Sequence, residues 1–440
     1  MQSLAFDPAD PKAALAQLPQ EPAVFALYGA EAHAEPYVGR TPNLRSRLER
    51  LLQPSARHPR RLQLAGRVRR IAWRLTGSEF ECLLLQFELL QEVYGTKCLE
   101  RMHLRHPAFV RFLGGNPYPR VTVTYRPSQR EADWAYGPFP SRAAAERYVD
   151  EALKLFLLRR CTFDLDPDPA YPGCVYSEMK MCLAPCYKGC TDERYAEEAA
   201  AVEGFLATRG QNRLVTLRAE RDAASSALAF EQAAALHAQV ARVEAVHGLA
   251  AELVRPLSQL RAVILQTSAN PDEAALFLFE NGRLRGPIAF STLGMRIQNE
   301  QSGSTSLFPQ PMAIEPIPEN TKNKEQRTES REQRTESGES VAPDASTANP
   351  VPLRLARGVL EARMDEALAK LTENPAAPSP TARQGHLALL KRWYYRPEAR
   401  REGEIFFSDA EGRWPVKAIL RGVGRIAAKT LIAAQRERTE

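Results

Sequence analysis

The chain has 440 residues, which predicts about three compact units at roughly 150 residues per domain. Hydrophobic residues make up 44% and charged residues 25%, values that exclude wholesale disorder and leave apolar side chains for several cores. The formal net charge of +6 is too small to identify a partner by itself. The sequence has no apolar run of about 18 residues, and it begins without a basic segment followed by an apolar one. We therefore expect a cytoplasmic protein with no membrane association.

Strand-like and helix-like patterns alternate in the first hundred residues. Two short apolar runs, 23–28 and 36–39, predict a β-hairpin. Thr41, followed by proline, predicts the start of a first helix, and residues 69–74 predict a third strand. Ser78 predicts the start of a second helix through a capping box with the glutamate three residues later.

The central part changes from mixed to strongly helical patterns. Residues 120–125 predict a strand, residues 136–141 a turn and residues 143–158 a helix. Residues 191–250 are rich in alanine and predict helices with a break at Gly210 and two antiparallel helices that meet near residue 229.

The last third combines a hairpin, a polar stretch and a final unit. Residues 261–292 predict a β-hairpin with a turn at Asn281 and Gly282. Residues 297–350 are polar, contain a tandem repeat and predict a disordered linker. The predicted elements that follow are helices at 353–371 and 385–395, a strand at 404–407 and a basic helix. Residues 419–428 have the outline of a helix-hairpin-helix, although a simple helix start is the preferred interpretation.

Positive charge is concentrated between residues 40 and 74. This stretch holds eleven arginines and a single acidic residue, Glu49. Such a density suits phosphate oxygens, while a solvated basic face is the alternative.

Seven cysteines favour thiols that bind metal or pack in a core over a disulfide framework. Cys82 and Cys98 have the pattern of core thiols. Cys161, Cys174, Cys182 and Cys186 fall within 26 residues, a set that by itself predicts either zinc or an iron–sulfur cluster.

Six segments, taken in order, resemble the UvrC family of excinucleases from bacterial nucleotide excision repair, whose first domain is a GIY-YIG nuclease. They cover roughly residues 20–295 and comprise Pro22–Phe25, Tyr37–Arg40 with Leu44–Arg47, the helix at 81–90, Tyr136–Phe139, the four clustered cysteines and Ala229–Ala234.

The resemblance implies incision of damaged double-stranded DNA on the 3′ side of a lesion. Tyr37 matches the tyrosine that activates water, Arg47 the helix arginine that steadies phosphate charge, and Arg40 the motif lysine. A divalent metal, Mg²⁺ or Mn²⁺, would assist catalysis. The arginines expected to bind DNA are Arg45, Arg50, Arg57, Arg60 and Arg61.

Two departures from the family pattern put catalysis in question. Phe25 replaces the first motif tyrosine, and Gln86 replaces the glutamate that holds the metal. Gln86 is expected on the inward face of its helix, between Leu83 and Leu90. A neutral amide is a poorer ligand for Mg²⁺ than a carboxylate, so an inactive nuclease site that still grips DNA is the alternative.

The resemblance also implies a cofactor and a partner. The spacing of the four clustered cysteines matches the family motif for a [4Fe-4S] cluster, with zinc as the alternative and Cys190 left outside the set. The helical pair at 217–246 resembles the UVR motif, which implies docking of a UvrB-like protein. The residues expected to take part are Phe230, Glu231, Ala233 and Ala234.

The sequence therefore predicts an α+β, multidomain protein with a small three-stranded GIY-YIG-like sheet, a helical hairpin and a divergent C-terminal α/β part. The expected units are 18–100 (nuclease-like), 101–160 (connecting), 161–200 (cysteine segment), 201–250 (helical hairpin), 251–296 (β-hairpin), 297–350 (linker) and 351–440 (role unknown). The function implied is that of a UvrC-like incision protein. The rivals are a non-catalytic adaptor for DNA and a UvrB-like protein, and a metal-cluster redox sensor with a vestigial nuclease fold.

Overall fold

The structure is a computed structural model that describes residues 1–31, 34–52, 64, 66–293, 295, 357–373, 377–409 and 411–437, with side chains described as far as residue 430. The fold is α+β and multidomain, and the described residues form three four-stranded antiparallel sheets. The expected linker at 297–350, together with Arg57, Arg60 and Arg61, lies outside the described residues. None of the described helices has the length and apolar character needed to cross a membrane.

The first unit is a sheet with helices on both faces. Its elements are β1 (Gln2–Ala5), α1 (Pro11–Ala16), β2 (Ala23–Gly29), β3 (Tyr37–Thr41), α2 (Leu44–Leu52), β4 (Val68–Leu75), α3 (Glu79–Tyr94) and α4 (Cys98–Arg101). The strand order is β1-β4-β2-β3, so the predicted three-stranded sheet gains a fourth strand, β1. Residues 23–27 are buried throughout, as expected for a central strand with both faces covered.

Helix α3 lies between two hydrophobic cores. Cys82 and Leu85 pack against Val24 of β2, whereas the opposite side of the helix packs against the C-terminal unit. The side chains on that opposite side are Phe80, Leu83, Leu84, Phe87 and Leu90. This helix therefore joins the first unit to the last one.

The N-terminus of α3 forms only half of the predicted capping box. The Ser78 hydroxyl accepts a hydrogen bond from the Glu81 N–H at 3.1 Å. The Glu81 carboxylate accepts from the N–H of Gly77 at 2.9 Å, one residue earlier than a capping box requires.

The central unit combines a second sheet with a helical stack. Its elements are β5 (Ala108–Phe112), β6 (Val121–Thr124), β7 (Ala135–Phe139), α5 (Arg142–Leu153), α6 (Val175–Glu178), α7 (Asp192–Thr208), α8 (Gln211–Ser226), α9 (Phe230–His247) and β8 (Arg255–Pro256). The turn predicted at 136–141 is wrong for most of its length, because residues 135–139 form β7 and pair with β5 and β8. Helix α5 ends at Leu153, five residues before the predicted end.

The helical stack follows the sequence prediction closely. Gly210 has a φ of 85° and separates α7 from α8, a conformation that glycine adopts without strain. Helices α8 and α9 then form the predicted antiparallel pair, and Leu214, Leu217, Val240 and Val243 bury their apolar side in the central core.

The C-terminal unit is built on the third sheet, whose strand order is β11-β10-β9-β12. Its elements are β9 (Ala262–Thr267), β10 (Glu273–Glu280), β11 (Arg283–Ser291), α10 (Arg357–Thr372), α11 (Pro380–Tyr394), β12 (Glu404–Phe407) and α12 (Val416–Glu437). Asn281 and Gly282 form the predicted turn, with φ values of 51° and 76°. Ala262 and Ile264 face α3 and α11, whereas Val263 and Leu265 face α10 and α12.

Residues 419–428 lie inside the continuous helix α12, so the helix-hairpin-helix outline and the helix start are both wrong there. Gly422 is needed because a Cβ at this position would lie 2.7 Å from the Phe406 ring and 2.9 Å from Leu265. The glycine spacing reflects close packing of a helix on a sheet.

Candidate nuclease site and neighbouring segments

The two faces of edge strand β3 contact different helices. Tyr37 packs into the core that α2 covers, together with Phe25 and Leu27. Val38 packs on the other side, against the core that α3 covers. Since successive side chains of a strand alternate between its faces, Arg40 lies on the α3 side with Val38.

Tyr37, Phe25 and Gly39 form an aromatic cluster at this edge. Tyr37 is half-buried, and its ring centroid lies 6.1 Å from that of the fully buried Phe25. The Phe25 ring lies against Gly39, where a Cβ would approach it to 2.6 Å. The aromatic ring at position 25 therefore contributes to packing and carries no hydroxyl.

The arginines of α2 differ in how they are engaged. Arg45 donates from Nε to the Leu18 carbonyl at 2.7 Å, which ties α2 to the chain before β2. Arg50 donates from Nε to the Ser46 carbonyl at 3.0 Å. Arg47 is half-buried, and its guanidinium makes no hydrogen bond or ion pair to any other residue that the structure describes. Tyr37 thus packs on the side of the sheet that α2 covers, and Arg47 lies on α2 itself.

Arg40 belongs to an ion-pair cluster on the other side. Its guanidinium lies 3.4 Å from the Glu79 carboxylate, which also accepts two hydrogen bonds from Arg396 at 2.8 Å each. The hydrogen bond from Arg396 holds the pKa of Glu79 below its ordinary value. Arg40 and Glu79 line a pocket of about 610 Å³ to which Glu402 of the C-terminal unit also contributes.

Gln86 is half-exposed on α3, at the border between the two buried faces of that helix. The expectation that it points inward between Leu83 and Leu90 is therefore only partly met, because those two residues pack against the C-terminal unit. The nearby glutamates are engaged elsewhere, Glu79 with Arg396 and the buried Glu81 with the Gly77 N–H.

The donor atoms present fit a divalent metal poorly. Within the described ranges no three His, Cys, Asp or Glu residues are grouped so that they could hold a metal ion. The position expected to supply a carboxylate supplies the amide of Gln86 instead, and a hard cation gains most from anionic oxygen.

The four clustered cysteines influence one another electrostatically. Burial raises the pKa of the Cys182 thiol to about 11, and Cys161, Cys174 and Cys186 add to this rise. The backbone folds the segment over itself, with the Asp168 N–H donating to the Cys186 carbonyl at 2.9 Å. All seven cysteines are free, and Cys82 and Cys98 are buried as predicted. The thiols share one neighbourhood, yet they are not arranged as ligands of one ion.

Arg159 is a buried cation beside this segment. Its side chain is only 1% exposed, and it donates to the Phe163 carbonyl at 2.8 Å and to the Cys161 sulfur at 3.5 Å. No carboxylate pairs with it in the described part of the chain, and its Nη2 makes no hydrogen bond there. A buried charge without an anionic partner is costly, and the nearest acceptors of Arg159 are the Phe163 carbonyl and the Cys161 sulfur.

The tip of the α8–α9 hairpin exposes large apolar side chains. Leu228 is 71% exposed and Phe230 is 67% exposed. Glu231 and Ala234 are exposed beside them, and Ala233 is half-buried. An exposed leucine and phenylalanine at a hairpin tip form a compact apolar projection.

Sequence reasoning missed the link between Glu79 and Arg396, which are 317 residues apart. Nothing in the sequence indicates that pairing. The basic character of α12 was predicted, but not the spacing of its charges, with a basic residue at every fourth position from 417 to 429.

Comparison with known proteins defines the class of the first two units. Residues 21–94 match the model of the UvrC-like GIY-YIG domain, and residues 109–205 match that of the UvrC/Cho excinuclease middle domain. The first match covers β2, β3, α2, β4 and α3, the elements that carry the candidate site. Over these two domains the chain is similar to proteins of the UvrC family.

Curated relatives agree with this assignment. UvrABC system protein C of Alcanivorax borkumensis is 32% identical over 54% of this chain and 39% of its own length. The protein of the same name from Aliivibrio fischeri is 27% identical over 72% of this chain and 48% of its own. The chain thus spans less than half the length of these relatives. No solved structure matches it.

Proposed function

We propose that the chain acts in nucleotide excision repair as a UvrC-type protein that grips damaged duplex DNA and incises it on one side of the lesion, the 3′ side by resemblance. The observation that carries this proposal is that Tyr37 on edge strand β3 packs against the core covered by α2, the helix that carries Arg47 in the matched GIY-YIG domain. The scissile phosphate would be bound there.

The proposed roles follow from the chemistry of the two side chains. The hydroxyl oxygen of Tyr37 would accept a hydrogen bond from the attacking water and orient it, and the guanidinium of Arg47 would neutralise charge that develops on the phosphate. Arg47 is available for this because it makes no ion pair with a described residue. Arg45 and Arg50 would hold the flanking phosphates with the nitrogens that are not bonded to the backbone.

A second candidate function is a non-catalytic adaptor that binds DNA and a UvrB-like protein. Gln86 and Phe25 favour it, because the site lacks both a carboxylate for a divalent metal and the first motif hydroxyl. The exposed Leu228 and Phe230 would serve either function as the docking point for the UvrB-like protein.

Nicking assays separate the two functions. The purified chain is incubated with lesion-bearing duplex, a UvrB-type protein and Mg²⁺ or Mn²⁺, and nicks are mapped on both strands. Incision by the wild type that is lost on Tyr37→Phe and on Arg47→Ala, by roughly two orders of magnitude or more, supports the enzyme. A wild type that does not nick, together with a Gln86→Glu variant that does, would establish the adaptor.

We also propose that Cys161, Cys174, Cys182 and Cys186 bind a [4Fe-4S] cluster that fixes this segment, with zinc as the alternative. The buried Arg159 supports the proposal, because it donates to the Cys161 sulfur and has no carboxylate partner among the described residues, and metal-bound thiolates would supply negative charge beside it. The thiols would need to move into ligand positions on binding.

Metal analysis tests this proposal. Protein purified without oxygen is expected to be brown and to carry about four irons per chain, and Cys182→Ser is expected to lose both colour and iron. Cys190→Ser is the matched control and keeps them. Stoichiometric zinc in a colourless protein would replace the iron–sulfur assignment, and a metal-free protein would end it.

A further inference from the structure

Helix α12 presents a row of positive side chains to solvent. Lys417, Arg421, Arg425 and Lys429 follow one another at intervals of four residues, and all four are exposed. Between residues 416 and 430 the helix contains no Asp or Glu. Residues four apart lie on the same side of a helix, so these four residues form one stripe about 18 Å long. We call it the α12 stripe.

The opposite side of α12 is fully used in packing. Ile419, Val423 and Ile426 are buried in the core between the third sheet and α10. The helix therefore cannot turn over or insert its apolar side into a lipid surface. What it offers to a partner is the α12 stripe alone.

The stripe is not neutralised within its own helix, unlike the charges of α10. In α10, Arg357 pairs with Glu361 at 3.0 Å and Lys370 with Glu366 at 2.8 Å. Arg425 is held by the Glu404 carboxylate through two hydrogen bonds of 2.7 and 2.5 Å. Lys417 and Arg421 are like charges four residues apart and repel one another, which costs stability that an external polyanion would restore.

Small residues flank the stripe. Gly424 lies beside Arg425 on the outer side, and a Cβ built there meets nothing within 4 Å. Between residues 416 and 430, the part of α12 whose side chains the structure describes, no acidic side chain therefore stands between the cations and an approaching backbone.

We propose that the α12 stripe binds the phosphodiester backbone of duplex DNA, as a contact surface additional to α2. Duplex DNA carries one negative charge per about 1.7 Å of axis, so a duplex along this row of about 18 Å offers phosphates to Lys417, Arg421 and Lys429, the three cations that Glu404 does not hold. Binding of this kind fixes the position of the duplex without reading its sequence. The proposal deepens the proposed function, because it presumes that the same chain acts on DNA.

The test measures DNA binding without a UvrB-type protein or divalent metal. Fluorescence anisotropy follows an undamaged, labelled duplex over a range of salt concentrations, using the full chain. The variant is Lys417→Gln, Arg421→Gln and Lys429→Gln, which leaves the paired Arg425 in place. The control is Lys97→Gln, Arg147→Gln and Arg242→Gln, which removes the same charge from exposed positions on other elements.

We expect the α12 variant to bind roughly tenfold or more weakly at about 0.1 M salt, with a salt slope reduced by about 0.9 per lost phosphate contact, whereas the control changes little. Melting temperatures of both variants equal to that of the wild type would show that the substitutions leave the fold intact. The proposal would be overturned if the salt dependence of DNA binding had the same slope in the α12 variant, the control and the wild type. It would also be overturned if the α12 variant lost affinity only for a labelled RNA duplex measured in the same way.

The outcome is independent of the nicking assay. If the wild type nicks and the α12 variant binds normally, the stripe proposal fails while the incision function stands. If the α12 variant loses binding and the wild type never nicks, the stripe stands and incision fails.

Discussion

The contact between Phe25 and Gly39 shows that the residue at position 25 affects both the packing and the chemistry of the candidate site. The buried ring of Phe25 occupies the space that a side chain at position 39 would need. Position 39 lies in a strand and has no positive φ, so its backbone conformation does not require glycine. The glycine is required because the Phe25 ring approaches it closely. The ring thus explains the glycine of the second motif in steric terms.

Replacing Gly39 with alanine is expected to destabilise the first unit by about 1–3 kcal/mol, since the new Cβ would lie 2.6 Å from a buried ring. Thermal unfolding measures the effect. Gly29→Ala is the matched control, because its Cβ would make an ordinary contact of 3.5 Å with the Arg67 carbonyl. Equal melting temperatures for the two variants would contradict the packing account.

At the scale of elements, the contact between α3 and α11 is unusually close. A Cβ on Gly385 would lie 2.1 Å from the Phe87 ring, so α11 approaches α3 through its glycine. The next residue, His386, is 4% exposed and stacks edge-on against Phe87 with ring centroids 5.3 Å apart. Its Nδ1 has no hydrogen-bond partner among the described residues, and burial lowers its pKa to about 3.

His386 is expected to make the protein acid-sensitive. Its pKa is about 3 in the folded chain and 6.5 ordinarily, so between these values the unfolded chain binds a proton that the folded chain does not. The stabilising contribution is complete above pH 6.5 and is lost as pH falls towards 3. We expect it to amount to a few kcal/mol, on the order of 1.4 kcal/mol per pKa unit.

The measurement is thermal unfolding across this pH range. His386→Leu should flatten the dependence, because an apolar side chain fills the site without titrating, whereas the exposed His237→Leu should leave it unchanged. An unaltered slope in His386→Leu would show that other groups carry the acid sensitivity.

At the scale of the whole molecule, the first and last units share α3. Phe80 lies 5.1 Å from Phe277 of β10 and 5.4 Å from Trp393 of α11, measured between ring centroids. The loop between β9 and β10 also meets the start of α3, where the Thr267 hydroxyl donates to the Gly77 carbonyl at 2.6 Å. The first unit is therefore completed by residues of β9, β10 and α11, which come after the whole central unit in the sequence.

A chain that ends at residue 259 should lose protection of α3 against hydrogen exchange, because the partners of Phe80 and Phe87 are gone. We expect exchange to accelerate by roughly two orders of magnitude, as about 3 kcal/mol of burial is lost. A chain that ends at residue 415 is the control, since α12 packs on the far side of the third sheet. Unchanged protection in the shorter chain would show that the first unit is stable alone.

The sequence predicted local structure better than contacts between units. The hairpin of β2 and β3, the start of α3 at Ser78 and the break at Gly210 follow from periodicity and capping, which are local properties. The strand β7 was mistaken for a turn because glycine and proline within it resemble turn residues, although pairing with β5 and β8 satisfies its backbone. The bond between Glu79 and Arg396 could not be predicted, since pairing at that separation depends on the packing of the third sheet.

The position of Gln86 has a consequence for how this site can change. Two sides of α3 are packed in hydrophobic cores, one with β2 and one with the C-terminal unit. Gln86 lies between these two sides and is half-exposed, so its side chain is not held in either core. A substitution there alters charge and leaves the scaffold undisturbed, so one codon is enough to switch the local chemistry. Loss or recovery of cleavage in this lineage would then be separable from folding.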